Sequence, residues 1–232
     1  MSLEKLNVLE LCDIPSSIDL EKLKENVKSY MEPRLKYYKE HNSKLCIEYN
    51  FSEYFVADAS NGNEIGKGNC KMDVKTNKDE GIDVTCVVMN NTKSNEKSVI
   101  QNFKSSGCNL DILFTNKKDT EAVSLFMDDY KNELIKVKTE HKLKQLFILA
   151  FISTETKIYL ACFNINIDNI KYVISNGFIT NKSEEDIVNI SIGNFIDNKY
   201  GYVNLYKSKK RVELRFDREL LQMPKVVNIY SI

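Results

Sequence analysis

Lys71-Met72-Asp73-Val74-Lys75, the polar turn Asn77-Lys78-Asp79-Glu80-Gly81, and Ile82-Asp83-Val84-Thr85-Cys86-Val87-Val88-Met89 decide how the rest of the chain is read. Apolar residues alternate with Asp73 and Lys75 on the first arm, and the second arm is β-branched and apolar, so the pattern predicts a hairpin. Asp83 lies inside that apolar arm, where an unpaired charge is costly unless a metal or a cation faces it. Two acids on adjacent strands, with a third from a preceding helix, are what an oxygen-liganded divalent cation requires.

Outward from the hairpin, the third acid comes from Glu48 to Ala59, where Tyr49, Phe51, Tyr54, Phe55, Val56 and Ala57 accompany Glu53. Read as a helix, this segment puts Glu53 beside an apolar face. Upstream, Leu20, Leu23, Val27, Tyr30 and Met31 fall on one stripe behind Ser16-Ser17, which predicts a capped amphipathic helix. Pro33 begins or kinks the next turn, and Arg34 to His41 continue as a charged helix. Residues 60–69 hold three glycines in ten and read as a loop; they lack the Lys-Ser/Thr ending of a phosphate loop.

Downstream, Val99, Ile100 and Phe103 share a helical face, so Ser94 to Phe103 is expected to form a short helix carrying Lys97 and Gln101. Leu110 to Phe114 reads as a brief strand. Asp119 or Thr120 then caps a long packing helix reaching about Lys144, with Ala122, Val123, Phe126, Tyr130, Leu134 and Val137 on its stripe. The second half reads as strands at Leu146–Ile152, Lys157–Ile165, Lys171–Ile174, Ile187–Ile192, Tyr202–Tyr206 and Arg211–Phe216. This order predicts one mixed α/β domain over 1–232, with a central mixed β-sheet flanked by helices, a core over about 48–115 and a strand-rich second half over about 146–232.

Bulk properties narrow the function classes. The chain is 42% hydrophobic and 28% charged with 3 Pro and 8 Gly, which suits a folded globular protein. Lys+Arg and Asp+Glu balance at 33 each, so nucleic-acid binding must rest on local patches such as Lys207-Ser208-Lys209-Lys210-Arg211. Taken alone, that stretch is an ordinary charged hairpin. The 6 Cys show no C-x-x-C pair and His41 and His141 stand apart, which argues against zinc. Free thiols in apolar strands and the lack of a basic-then-apolar leader point to a reducing, cytoplasmic setting.

Glu53 on a helix, Lys71-Met72-Asp73-Val74, Gly81-Ile82-Asp83-Val84-Thr85 and then Gln101 resemble the core of the PD-(D/E)xK nuclease superfamily, in particular the type II restriction endonucleases. In that family a helix supplies an acid, a strand end the first Asp, and the next strand the second acid with a Lys two residues on. The resemblance covers residues 48 to 105 and departs from the pattern at Met72, where Pro is common, and at Thr85, where the Lys belongs. It implies a restriction-endonuclease-like fold and a Mg²⁺-dependent (or Mn²⁺-dependent) DNA endonuclease of a restriction system, dimeric on double-stranded DNA. Asp73, Asp83 and Glu53 would be the metal ligands. Lys97, or Lys75 on the partner strand, would deliver the missing ammonium, and Lys75, Lys209, Lys210 and Arg211 would touch phosphates. Each acid by itself also reads as a solvated strand or helix charge. The competing expectation is a non-catalytic α/β protein-interaction domain.

Overall fold

A computed structural model describes residues 6–41, 45–66, 70–89, 95–102, 119–179, 189–206 and 211–232. The protein is mixed α/β, with a mixed central sheet flanked by helices. Asp19 caps the first long helix, α1 (Leu20–Met31), its carboxylate accepting from the Glu21 and Lys22 amides. Asp19, rather than Ser16 or Ser17, is therefore the cap. Pro33 sits in a 3-10 turn, Glu32–Arg34, ahead of the short α2 (Leu35–Glu40). The acid-bearing helix forms as the sequence predicts, as α3 (Tyr49–Ala59).

The central sheet contains β1 (Leu9–Cys12), β2 (Asn63–Glu64), β3 (Val74–Lys75), β4 (Glu80–Val88), β6 (Gln145–Ser153), β7 (Lys157–Ile165) and β12 (Val227–Ser231). Its order is β1-β7-β6-β4-β3-β2, and β12 pairs with β7 beyond the end of β1. The β3–β4 and β6–β7 pairs are antiparallel, whereas β4 and β6 are parallel. A parallel pair requires a crossover, and the connection includes a long helix, α4 (Asp119–Glu140). The apolar run from Leu146 to Ile152 becomes β6, buried on both faces as expected of a central parallel strand.

Alternation on the strands divides the interior into two cores. Leu146, Ile148, Ala150 and Ile152 of β6, with Val87 and Met89 at the end of β4, pack with Phe126, Tyr130, Leu134 and Val137 of α4. Phe147, Leu149 and Phe151, with Ile82 and Val84 of β4, pack instead beneath α1 and α3, against Leu23, Val27, Phe55 and Val56.

The strand-rich second half does not extend one sheet. β5 (Asn95–Asn102), β8 (Ile174–Ile179), β9 (Asn189–Gly193), β10 (Gly201–Tyr206) and β11 (Arg211–Asp217) form a second sheet, ordered β5-β11-β10-β9-β8. It joins the α4 core through Val203, Leu205, Val212, Leu214 and Phe216, and the Phe216 ring stacks on Phe163 at 5.5 Å between centroids. The helix expected from Ser94 to Phe103 is thus a strand over 95–102, because pairing with β11 decides a short run whose apolar spacing is ambiguous. A 3-10 turn, Ile167–Tyr172, occupies the first two residues of the strand expected at 171–174, and Ile174 begins β8. The expected strand at 110–114 lies outside the described residues.

Candidate active site: a carboxyl pair at a strand fork

The site forms where β3 separates from β4. The turn Thr76–Asp79 closes the hairpin, with Asp79 at φ 63° and the Thr76 hydroxyl accepting from the Lys78 and Glu80 amides. Strand pairing runs from Lys75↔Gly81 to Val74↔Ile82 and no further, so the first arm is shorter than its alternation predicts. At Asp73 the backbone amide still donates to the Ile82 carbonyl at 2.9 Å, while the side chain accepts from the Val84 amide at 2.7 Å. A carboxylate thereby takes the place of the next backbone rung. The Asp73 carbonyl is turned toward the Ile65 and Gly66 amides, at 2.6 and 3.1 Å. Gly66 has a reason to be glycine, since a Cβ there would lie 2.9 Å from Asp73 Oδ1.

The Asp73 and Asp83 carboxyls are hydrogen-bonded to each other. Burial raises Asp73 above the usual carboxylate range, against the opposing pull of the Val84 amide and the Asp83 bond. Burial also drives Asp83 well upward, reinforced by the Asp73 charge and hydrogen bond and more weakly by Glu53; Lys71 acts in the other direction. Glu53, on α3, feels the Asp73 charge: its carboxyl is raised to about 7 by burial, then by Asp73 and Glu64. Two carboxyls in contact cannot both ionise without a counter-charge, so the pair shares a proton.

The lysines fall differently from the sequence expectation. Lys75 donates to the His141 carbonyl at 2.8 Å and pairs with Asp79 at 3.0 Å. Lys97 stands in β5 of the second sheet, opposite Arg215, and not on a helix over the acids; Gln101 is opposite Val212 on the same strand. Lys209 and Lys210 lie outside the described residues. Arg211 begins β11, opposite Tyr206 and Asn102.

Lys71, Glu133, Tyr130 and Cys86 were not read from the sequence as parts of the site. Lys71 pairs with Glu133 of α4 at 3.1 Å, the two side chains being 15% and 23% exposed. Tyr130, one turn before Glu133, is buried, and its hydroxyl is pushed upward by burial, then by the Asp83 and Glu133 charges. Cys86 donates from beneath α3 to the Ser52 hydroxyl at 3.2 Å. Lys71 stands two residues before Asp73, which was the one available signal; nothing local announces that α4 supplies Tyr130 and Glu133.

The donor chemistry fits a hard divalent cation. Mg²⁺ is commonly held by one or two carboxylates together with waters and substrate phosphate, so a full protein cage is not required. Among the described residues no group of three His, Cys, Asp or Glu is arranged to hold a metal ion. The fit therefore rests on Asp73 and Asp83, with Glu53 at the rim. No protein-family profile, curated protein sequence or solved structure matches this chain.

Proposed function

We propose that the protein is a metal-dependent endonuclease, hydrolysing phosphodiester bonds of double-stranded DNA at the Asp73–Asp83 pair. One observation carries the reading: two carboxyls are held in contact at a strand fork, one fixed by a backbone amide and the other half-buried on β4. Such an arrangement has a high electrostatic cost that a divalent cation removes. The order of acids, from a helix, a strand end and the following strand, supports a PD-(D/E)xK-like, restriction-endonuclease-like site.

In this reading Asp73 and Asp83 hold Mg²⁺ or Mn²⁺. When bound, the ion supplies positive charge to the non-bridging phosphate oxygens and lowers the pKa of a neighbouring water. The Val84 amide keeps one Asp73 oxygen fixed, so the other is presented to the fork. Glu53, at the rim, orients the attacking water and accepts its proton. The water oxygen forms the new bond to phosphorus, one ester P–O bond breaks, and the departing oxygen takes a proton from solvent. A palindromic target would call for a homodimer that sets two such sites on opposite strands.

The test is cleavage of supercoiled plasmid with Mg²⁺ or Mn²⁺, in wild type and Asp83→Asn. Metal-dependent nicking or linearisation lost in Asp83→Asn supports the reading, and inactive wild type on varied substrates refutes it. Light scattering with and without duplex DNA tests the dimer.

A protein-interaction role has its own supporting observation. Tyr49, Phe51 and Tyr54 of α3 are 63%, 40% and 55% exposed, and Arg34 lies 3.8 Å over the Tyr30 ring beside them. This aromatic surface borders a cleft of about 530 Å³ between α1 and α3. Stable capture of a protein partner that is lost in Phe51→Ala, by a chain that never cleaves DNA, would favour this second role.

A further inference from the structure

We infer that Cys12 and Cys162 form a thiol–disulfide modification site, closing reversibly into a bond between β1 and β7 when the protein meets a small-molecule disulfide such as oxidised glutathione. The inference stands apart from the hydrolase reading and uses none of its residues. Both cysteines are free thiols in this structure. They are directly opposite one another in the β1–β7 register, at the end of β1. Directly opposed residues of an antiparallel pair have Cα atoms about 4.5–5.5 Å apart, inside the range of about 4.4–6.8 Å that a disulfide spans. The two side chains also share a face of the sheet, since both pack with the core beneath α1 and α3. The Cys12 thiol reaches across the strands and donates to the Cys162 carbonyl at 3.5 Å.

The two sulfurs suit different halves of an exchange reaction. Cys12 is half-buried at the end of an edge strand, whereas Cys162 is 0% exposed one strand further in. A small disulfide therefore meets Cys12 first. Cys12 is also held below the usual thiol range, first by the hydrogen bond that the Cys162 thiol donates to it; burial opposes this, while the Asn164 backbone and the Lys225 ammonium add to it. Lys225 stands beside the strand, its Nζ donating to the Leu11 carbonyl at 3.3 Å. A nearby positive charge and a donated hydrogen bond raise the thiolate fraction, and the thiolate is the attacking species. Burial pushes Cys46, Cys70 and Cys86 the other way.

The exchange balances in two steps. The Cys12 thiolate attacks one sulfur of the glutathione disulfide, the S–S bond breaks, and one glutathione leaves as a thiolate that takes up the proton Cys12 released. Cys162 then gives its proton to solvent, its sulfur attacks the Cys12 sulfur, and the second glutathione leaves and is protonated. Two protein thiols are oxidised, and one small disulfide is reduced to two thiols. The Cys162 proton is held first by its hydrogen bond to Cys12, and that hold weakens once the Cys12 sulfur is capped. The product ties together residues 150 positions apart, which restricts the unfolded chain far more than the folded one. It also anchors the start of the segment whose Ser16 and Ser17 hydroxyls bond Lys78 and Glu80 at the hairpin turn.

The test incubates the reduced full chain with oxidised glutathione under native conditions, then counts free thiols, maps linked peptides by mass spectrometry and records the melting temperature. Wild type, Cys12→Ser and Cys162→Ala are compared. Wild type is expected to lose the Cys12 and Cys162 thiols without retaining glutathione on either, and to yield a peptide linked through them. It should melt about 5–15 °C higher, and dithiothreitol should reverse both changes. Cys162→Ala should stop with one glutathione on Cys12, and Cys12→Ser should leave Cys162 unmodified. The wild-type peptide map needs no variant, so a poorly folding Cys162→Ala leaves the test intact. Wild type that keeps both thiols, that retains glutathione on Cys12, or whose linked peptides exclude this pair overturns the inference. A Cys12–Cys162 link that forms only in denaturant overturns it as well, since the folded register is then not what joins them.

Discussion

Raising the pH of the metal-free protein from about 5 to about 8 should destabilise it, and Asp83→Asn should abolish most of that loss. The folded-state pKa values of Asp73 and Asp83 both lie above the ordinary carboxylate value. Between the unfolded and folded values, the native state retains a proton that the unfolded chain has released, so stability falls as pH rises. Glu53 acts in the same direction between its ordinary value of 4.5 and about 7. Its partial exposure makes this contribution the smaller one through solvent screening. Two unit charges about 4 Å apart repel by about 4 kcal/mol at an effective dielectric of about 20. Lys71 offsets part of this, leaving about 2–3 kcal/mol, or about 5–10 °C in melting temperature for a domain of this size. The assay is thermal melting in a chelator across that pH range, for wild type and Asp83→Asn. Wild type should lose stability progressively, the variant should be nearly flat and more stable at the upper end, and Mn²⁺ should flatten the wild-type curve. A flat wild-type curve in chelator, or an equal slope in Asp83→Asn, would show that the two carboxyls do not share a proton.

Mn²⁺ at about 100 times its Kd should stabilise wild type by about 2.7 kcal/mol in thermal melts, and Asp73→Asn should remove the effect. Asp19→Ala should cost about 1 kcal/mol in denaturant unfolding, because two amides at the start of α1 lose their acceptor. Gly201→Ala should cost more than about 2 kcal/mol: a Cβ there would lie 1.9 Å from the Arg215 carbonyl oxygen, and backbone on a paired strand has little room to retreat. Phe126→Ala, in the α4 core at 0% exposure, should cost about 3–5 kcal/mol by the same measurement.

Residues whose environment is set by near neighbours were legible in the sequence. The continuous apolar run at 146–152 can only be a strand buried on both faces, and the stripe from Val123 to Val137 can only be a packing helix. The juxtaposition of Asp73 and Asp83 was legible for a related reason: a carboxylate within an apolar alternation stands out wherever it occurs. What failed depended on distant partners. Val99 and Ile100 fit either period, and β11, more than a hundred residues later, selects the strand. β1 and β12 are four and five residues long, too short to show a period, and exist because β7 offers them an edge. The setting of Lys97 failed in the same manner, since it was read onto a helix and stands in β5.

The shared outer edge of β7 sets a timetable for folding. Cys12 and Cys162, opposite one another in the β1–β7 register, are separated by 150 positions along the chain. At about 5–20 residues per second, a ribosome needs about 8–30 s to make that intervening length, so β1 must wait unpaired during synthesis. β12 docks later still, against the neighbouring segment of the same strand. The hairpin carrying Asp73 and Asp83 is local and closes early, whereas β6, which flanks it in parallel, comes only after α4. High contact order of this kind slows folding toward milliseconds to seconds. The acids are therefore brought together before the sheet that buries them is complete, and their mutual repulsion is met first in water, where it is weakest.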